Sequence, residues 1–213
     1  KAALHKQVRT INIQMNVLVR NWTAFDKMKV SGVAVPKSFI SSVGLQTPRT
    51  FGAMKASLSP EQPALVTFGG GNGISNEAFY EQLVGSLPPP GTPSRDQQRM
   101  VRAGLYRTSF ETFEREIRGT AARALGEGGF DPARDILAVT VNRWGHGYCL
   151  GDNGLFDKEE GPRSYEVGRQ KFGHITIANS DASGIDNAQT AIDEAARAVR
   201  ELEPRMYGYY GVI

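Results

Sequence analysis

The chain has 213 residues, of which 40% are hydrophobic and 22% charged. That composition is typical of a folded globular protein and excludes intrinsic disorder as its main state. The 25 basic and 22 acidic residues leave a net charge of +3, too small and too scattered to indicate a nucleic-acid surface. No apolar run approaches the roughly 18 residues of a membrane-spanning helix. The single cysteine, Cys149, excludes an internal disulfide framework and a cysteine-rich zinc site. The three histidines, His5, His146 and His174, have no metal-ligand spacing, so no metal is expected.

In chain order, residues 1–7 read as the tail of a helix. Residues 10–19 alternate Ile11, Ile13, Met15, Val17 and Val19 with polar partners, the pattern of a half-buried strand. Asn21 is placed to cap a short helix over 22–27. Residues 31–60 predict short strands and turns, and residues 64–68 a buried strand. The run Gly69-Gly70-Gly71-Asn72-Gly73 lacks both the P-loop lysine and the dinucleotide G-x-G-x-x-G spacing, so it reads as a loop. A short helix over 76–84 and a stiff proline-rich linker over 87–93 follow.

Helices are predicted over 95–106 and 110–125. Thr108 and Glu111 would form a capping box for the second, and Gly126 its stop. Its apolar face would be Phe110, Phe113, Ile117, Ala121, Ala124 and Leu125. Residues 136–141 form a strand leading into Asn142-Arg143-Trp144-Gly145-His146-Gly147-Tyr148. Residues 174–178 form a further strand, ending in the polar turn Asn179 to Gly184. A helix then runs over 187–202, packing through Ala188, Ala191, Ile192, Ala195, Ala196 and Val199. The Tyr- and Gly-rich residues 204–213 predict irregular structure.

Two groups of residues carry chemical interest. In the strand–turn–helix of residues 174–202, the carboxylate of Asp181 lies beside the free amides of a helix start, which favour an anion such as a pyrophosphate. Asp181 or Asp186 as a simple helix cap is the competing reading. In residues 142–148, Trp144 and Tyr148 offer flat faces with polar tips, and His146 is a side chain that could carry a proton. A core tryptophan and a structural histidine are the competing readings. Cys149 reads as a small buried hydrophobe.

Together these stretches resemble the carboxyl-terminal half of an FAD-dependent amine oxidase-type flavoprotein, closest to the spermidine dehydrogenase-like branch. The resemblance lies in residues 16–22, 110–115, 128–135, 139–148 and 168–182 and spans most of residues 1–202, with residues 69–90 as an insertion. It implies an α+β chain: a mixed-sheet substrate domain plus the returning strand and helix of a Rossmann-type FAD domain completed by another chain. Residues 1–140 would be mainly substrate domain with a helical insertion, and residues 141–213 the flavin-facing segment and returning strand and helix.

By the same resemblance, Asp181 and Asn179, with the helix start at Asn187, Ala188 and Gln189, would hold the FAD. Trp144 would lie beside the flavin ring, His146 would handle a proton, and Tyr148 would wall the pocket. The implied reaction passes a hydride from a small organic substrate to flavin. Two departures bear on the substrate. Gly145 stands where the branch has proline, and Asn187 stands where many amine oxidases have an aromatic cage residue, so an alcohol or phenol joins the amine as a candidate.

The G-x-G-x-x-G half is missing from the sequence. The expectation is therefore the smaller chain of a two-chain enzyme, arising by proteolysis or from a split gene and partnered by the chain that carries that motif. The resemblance implies a periplasmic location, with the cytoplasm as the alternative. A lyase or oxygen-dependent aromatic oxidation on the same flavin scaffold, and a non-catalytic structural subunit, are the rival functions.

Overall fold

The structure, a computed structural model, describes residues 2–50, 52–53, 59–70, 77–151 and 161–203. Residues 71–73 of the glycine run and the tail 204–213 lie outside the described residues. Clustering of the chain gives two compact units. The first comprises Ile11–Pro88 and Met100–Gly145, the second Lys1–Thr10, Pro89–Arg99 and His146–Ile213.

The first unit is built on a five-stranded sheet: β1 (Val8–Val19), β2 (Gly32–Ala34), β3 (Ile40–Leu45), β4 (Ala64–Gly70) and β5 (Ile136–Leu150), in the order β2-β3-β4-β1-β5. The first four pair antiparallel. Thr140 lies against the Asn16 carbonyl and Asn142 against that of Gln14, so β5 also runs opposite to β1. The expected mixed sheet is thus antiparallel in its described strands. No two neighbouring strands run parallel; β4 and β5, joined through the helices within residues 77–135, run parallel to each other with β1 between them.

The alternation of β1 sets the core. Met15 sits opposite Phe68 and Val17 opposite Val66, and all four are buried. The helices α2 (Thr23–Met28), α3 (Glu77–Val84), α4 (Ser94–Arg107) and α5 (Phe110–Leu125) supply the opposing apolar layer. Phe25, Leu83, Val101, Leu105, Phe113, Ile117 and Leu125 join the strands in one cluster. Burying each such side chain contributes about 1.5–3 kcal/mol. Helix α4 packs on α3 at Gly104, where an added Cβ would lie 2.1 Å from the Leu83 carbonyl oxygen; only glycine fits there.

Helix α5 differs from expectation in two places. Its cap is Ser109, whose hydroxyl accepts from the Thr112 amide at 3.4 Å, not Thr108, which instead donates back to the Gly104 carbonyl at the end of α4. Phe110 is exposed, because the first turn projects past the sheet-facing stripe. The helix stops at Gly126 as expected; a tight 3-10 turn over Gly126–Gly128 then carries the chain to Gly129, whose positive φ makes the reversal. At the start of the short helix α2, Asn21 accepts from the Thr23 amide and hydroxyl, one residue further from the helix than a true cap.

Helix α6 (Pro132–Asp135) delivers the chain to β5. Asp135 is buried, yet it accepts two hydrogen bonds from Arg134 (2.7 and 2.8 Å) and one from the Asp131 amide (2.8 Å). The Arg134 guanidinium, helped by that amide, holds its carboxyl below the usual aspartate range against the opposing effect of burial. A lowered folded-state pKa stabilises the fold above the unfolded value of about 3.9 and is lost as pH falls through the folded value. Denaturant unfolding is expected to show stability declining below about pH 4, and Asp135→Asn is expected to flatten that decline. An unchanged acid limb in the variant would contradict this assignment.

Candidate functional site

The second unit contains the helices α1 (Ala2–Lys6), α7 (Ser164–Gly168) and α8 (Ala188–Leu202), with a 3-10 turn at Ser180–Ala182. Helix α1 packs on α7, and both α7 and α8 pack on the 3-10 turn. A pocket of about 300 Å³ opens at that turn. Tyr148 and Cys149 wall one side, and Asn179, Asp181, Asp186 and the start of α8 at Asn187 and Ala188 wall the other. Its volume is at the lower end of the range for small-molecule sites. It can hold part of a dinucleotide, not the whole.

Local chemistry explains each wall. The Asn187 side chain accepts from the Thr190 amide at 2.8 Å, so Asn187 is the cap of α8, and neither Asp181 nor Asp186 serves in that role. The amides of Ala188 and Gln189, the first two of the helix, have no carbonyl one turn behind them to bond within it. Asn179 has φ +75° and ψ 172°, a region that strongly favours glycine. Its side chain accepts from the Ser180 amide at 2.7 Å, which offsets part of that strain.

Arg9 is the site residue that sequence reasoning missed. Its guanidinium donates to the Asp181 carboxylate and lines the pocket, and Gln7 donates to the Asp181 carbonyl at 3.4 Å. The pair is separated by 172 residues in the chain, and Arg9 reads locally as one polar position of an alternating strand. No sequence signal marks it. Cys149 is buried as expected. Burial pushes its thiol pKa up, and the Asp181 and Asp186 carboxylates add to the rise, the direction that disfavours the reactive thiolate.

The predicted site residues therefore divide. Tyr148, Asn179, Asp181, Asn187 and Ala188 come together on one pocket, whereas Gln189 and His146 do not line it. His146 is exposed. Trp144 belongs to the other unit and is 44% exposed, which overturns the alternative of a core tryptophan. Gly145 has its own explanation. Its amide donates to the Tyr106 hydroxyl at 3.1 Å and its carbonyl accepts from Arg102 at 2.5 Å. A Cβ there would lie 2.4 Å from the Tyr106 hydroxyl. Proline would lose the donor and place its ring in occupied space.

Two further expectations about this unit fail. Residues 174–178 form no strand. Phe172 and Ile175 make an isolated two-residue bridge, closing a turn at Gly173, because no neighbouring strand among the described residues pairs with the remainder. Helix α8 packs through a different face from the one predicted, with Ala191 and Ala196 half-buried. Its buried residues are Glu194 and Ala198, while Ala188, Ile192, Ala195 and Val199 are exposed. Ile192 is 69% exposed and Val199 53%, and Phe172, beside the bridge, is 81% exposed.

The cause is a charge cluster. Glu194, only 8% exposed, accepts from Arg169 at 2.7 Å and from Arg197 at 2.6 Å. Arg169 also donates to the Ala182 carbonyl, Arg197 bonds the Ile177 carbonyl, and Arg197 pairs with Glu201 at 2.6 Å. The cluster ties α7, the 3-10 turn and residue 177 to one face of α8.

No protein-family model matches this chain, and no curated protein matches it. Among the described residues no group of three or more His, Cys, Asp or Glu could hold a metal ion. No described helix is long and apolar enough to cross a membrane.

Removing the Glu194 carboxylate takes away the acceptor that Arg169 and Arg197 share. Glu194→Ala is expected to destabilise the protein by about 3 kcal/mol in denaturant unfolding. A change within about 0.5 kcal/mol, the usual range for surface substitutions, would contradict the role given to this cluster.

Proposed function

We propose that this chain is the smaller part of a two-chain FAD-dependent oxidoreductase, in which a hydride passes from a small organic substrate to flavin. The substrate is an amine, or an alcohol or phenol. The observation that carries the reading is the reversed burial of α8. Its apolar stripe at 188, 192, 195 and 199 has the 4-3-4 spacing of a helix built to be covered, yet it faces water. Residues 176–178 likewise lack a strand partner among the described residues. A strand and helix left open together are what a returning βα unit would present when the sheet it completes is carried elsewhere.

The pocket fits a portion of FAD. Asp181 would accept from a ribityl hydroxyl, the amides of Ala188 and Gln189 would face the flavin's pyrimidine edge, and Arg9 would orient Asp181. Bound FAD would supply the two-electron acceptor that the side chains themselves lack. Tyr148 would close the pocket wall, and His146 would take or release a proton at its exposed imidazole. Asn187, engaged as a helix cap, cannot rebuild the missing aromatic cage, which supports keeping alcohols and phenols beside amines.

Native purification tests this. A second chain and the yellow absorbance of oxidised flavin are expected to accompany the 213-residue chain. Ile192→Glu and Val199→Glu should each lose both, while the chain's own melting transition persists, because the stripe is exposed in the isolated fold. A partnerless chain, with or without flavin, would contradict the proposal.

A further inference from the structure

The outward face of the sheet in the first unit has a chemistry of its own. Pairing of Met15 with Phe68 and of Val17 with Val66 turns those side chains to the core, so the alternate positions Asn16 and Thr67, paired with each other, face outward. Val139 and Val141 of β5 pack against the core, which sends Thr140, Asn142 and Trp144 to the same outward side. None of the described outward strand positions is Asp, Glu, Lys or Arg, and Leu18 and Leu65, paired beside Asn16 and Thr67, add two exposed apolar side chains.

The polar groups on this face form a connected array. Gln46 donates to the Thr67 hydroxyl at 2.6 Å, and Thr67 donates to the Asn16 carboxamide oxygen at 3.2 Å. Thr140 and Asn142 reach only the β1 carbonyls of Asn16 and Gln14, at 3.5 and 3.4 Å, distances at which a hydrogen bond is weak. A ligand hydroxyl could replace them at small cost. Carboxamides and hydroxyls both donate and accept, which matches a partner whose groups do the same. Trp144 adds a flat, half-exposed apolar surface at one end of the array.

The absence of charge narrows the occupant. A cation would find no carboxylate on the face, and an anion or nucleic-acid backbone no lysine or arginine. A sugar presents both matching surfaces: hydroxyls for the amide–hydroxyl array, and an apolar ring face for the indole.

We propose that the outward sheet face, from Gln46 through Thr67 and Asn16 to Asn142 and Trp144, is a binding site for a neutral oligosaccharide. It does not depend on the flavin reading, and its test uses the chain without cofactor or partner, so the two can fail separately. An array of neutral glycans, followed by titration calorimetry with the best binders, is the experiment. Saturable binding to a neutral oligosaccharide is expected, weakened about tenfold or more by Trp144→Ala and by Thr67→Val in variants whose circular dichroism is unchanged. A chitosan oligosaccharide and an oligogalacturonate, as cationic and anionic probes, should not bind at the same concentrations. The proposal is overturned if no neutral glycan binds, if either charged probe binds as tightly, or if both variants bind like the parent.

Discussion

A buried carboxylate decides how the second unit is arranged. Glu194 can leave water only where cations meet it, and Arg169 and Arg197 do so at 2.7 and 2.6 Å. Those arginines also bond the carbonyls of Ala182 and Ile177, so the cluster fixes the polar turn on which the pocket depends. Its consequence lies on the other side of α8. With the charged face turned inward, Ile192 and Val199 must face outward, and each forgoes the roughly 1.5–3 kcal/mol that full burial would contribute. A covering surface would recover that energy, which is the physical basis for assigning the helix a partner.

The two units differ in the chemistry they present. The pocket of the second is charged: Asp181 and Asp186 face it, with Arg9 across Asp181, and a helix start contributes amides. The sheet face of the first is uncharged and studded with carboxamides and hydroxyls. Between the sequences that build them, Gly145 is held from α4 at both its backbone groups, by Tyr106 and Arg102. A strand held in this way at an edge is not open to pairing with another chain at that residue.

Much of the first unit was legible because period-two alternation and a strong helical stripe describe side chains that do meet a core within the chain. β1 and α5 are examples: Ile11 to Val19 and Phe113 to Leu125 are buried as their spacing predicts. Helix α8 was legible as a helix, and its cap at Asn187 as a helix start. Its packing direction was not. Periodicity locates an apolar stripe but cannot say whether the surface that covers it belongs to the same unit. Residues 174–178 fail for the same reason, since a strand exists only with a neighbour to bond. In the pocket, Asp181, Asn179 and Asn187 were visible as polar groups around a helix start, whereas Arg9 reaches it from the far end of the sequence.

Hydrogen–deuterium exchange across residues 172–202, comparing the isolated chain with the natively assembled protein, tests the central claim most directly. Fast exchange at residues 176–178 is expected in the isolated chain, with marked slowing there and along α8 on assembly. Equal protection in both states would show that the exposed stripe and the unpaired segment await no partner, and would contradict it.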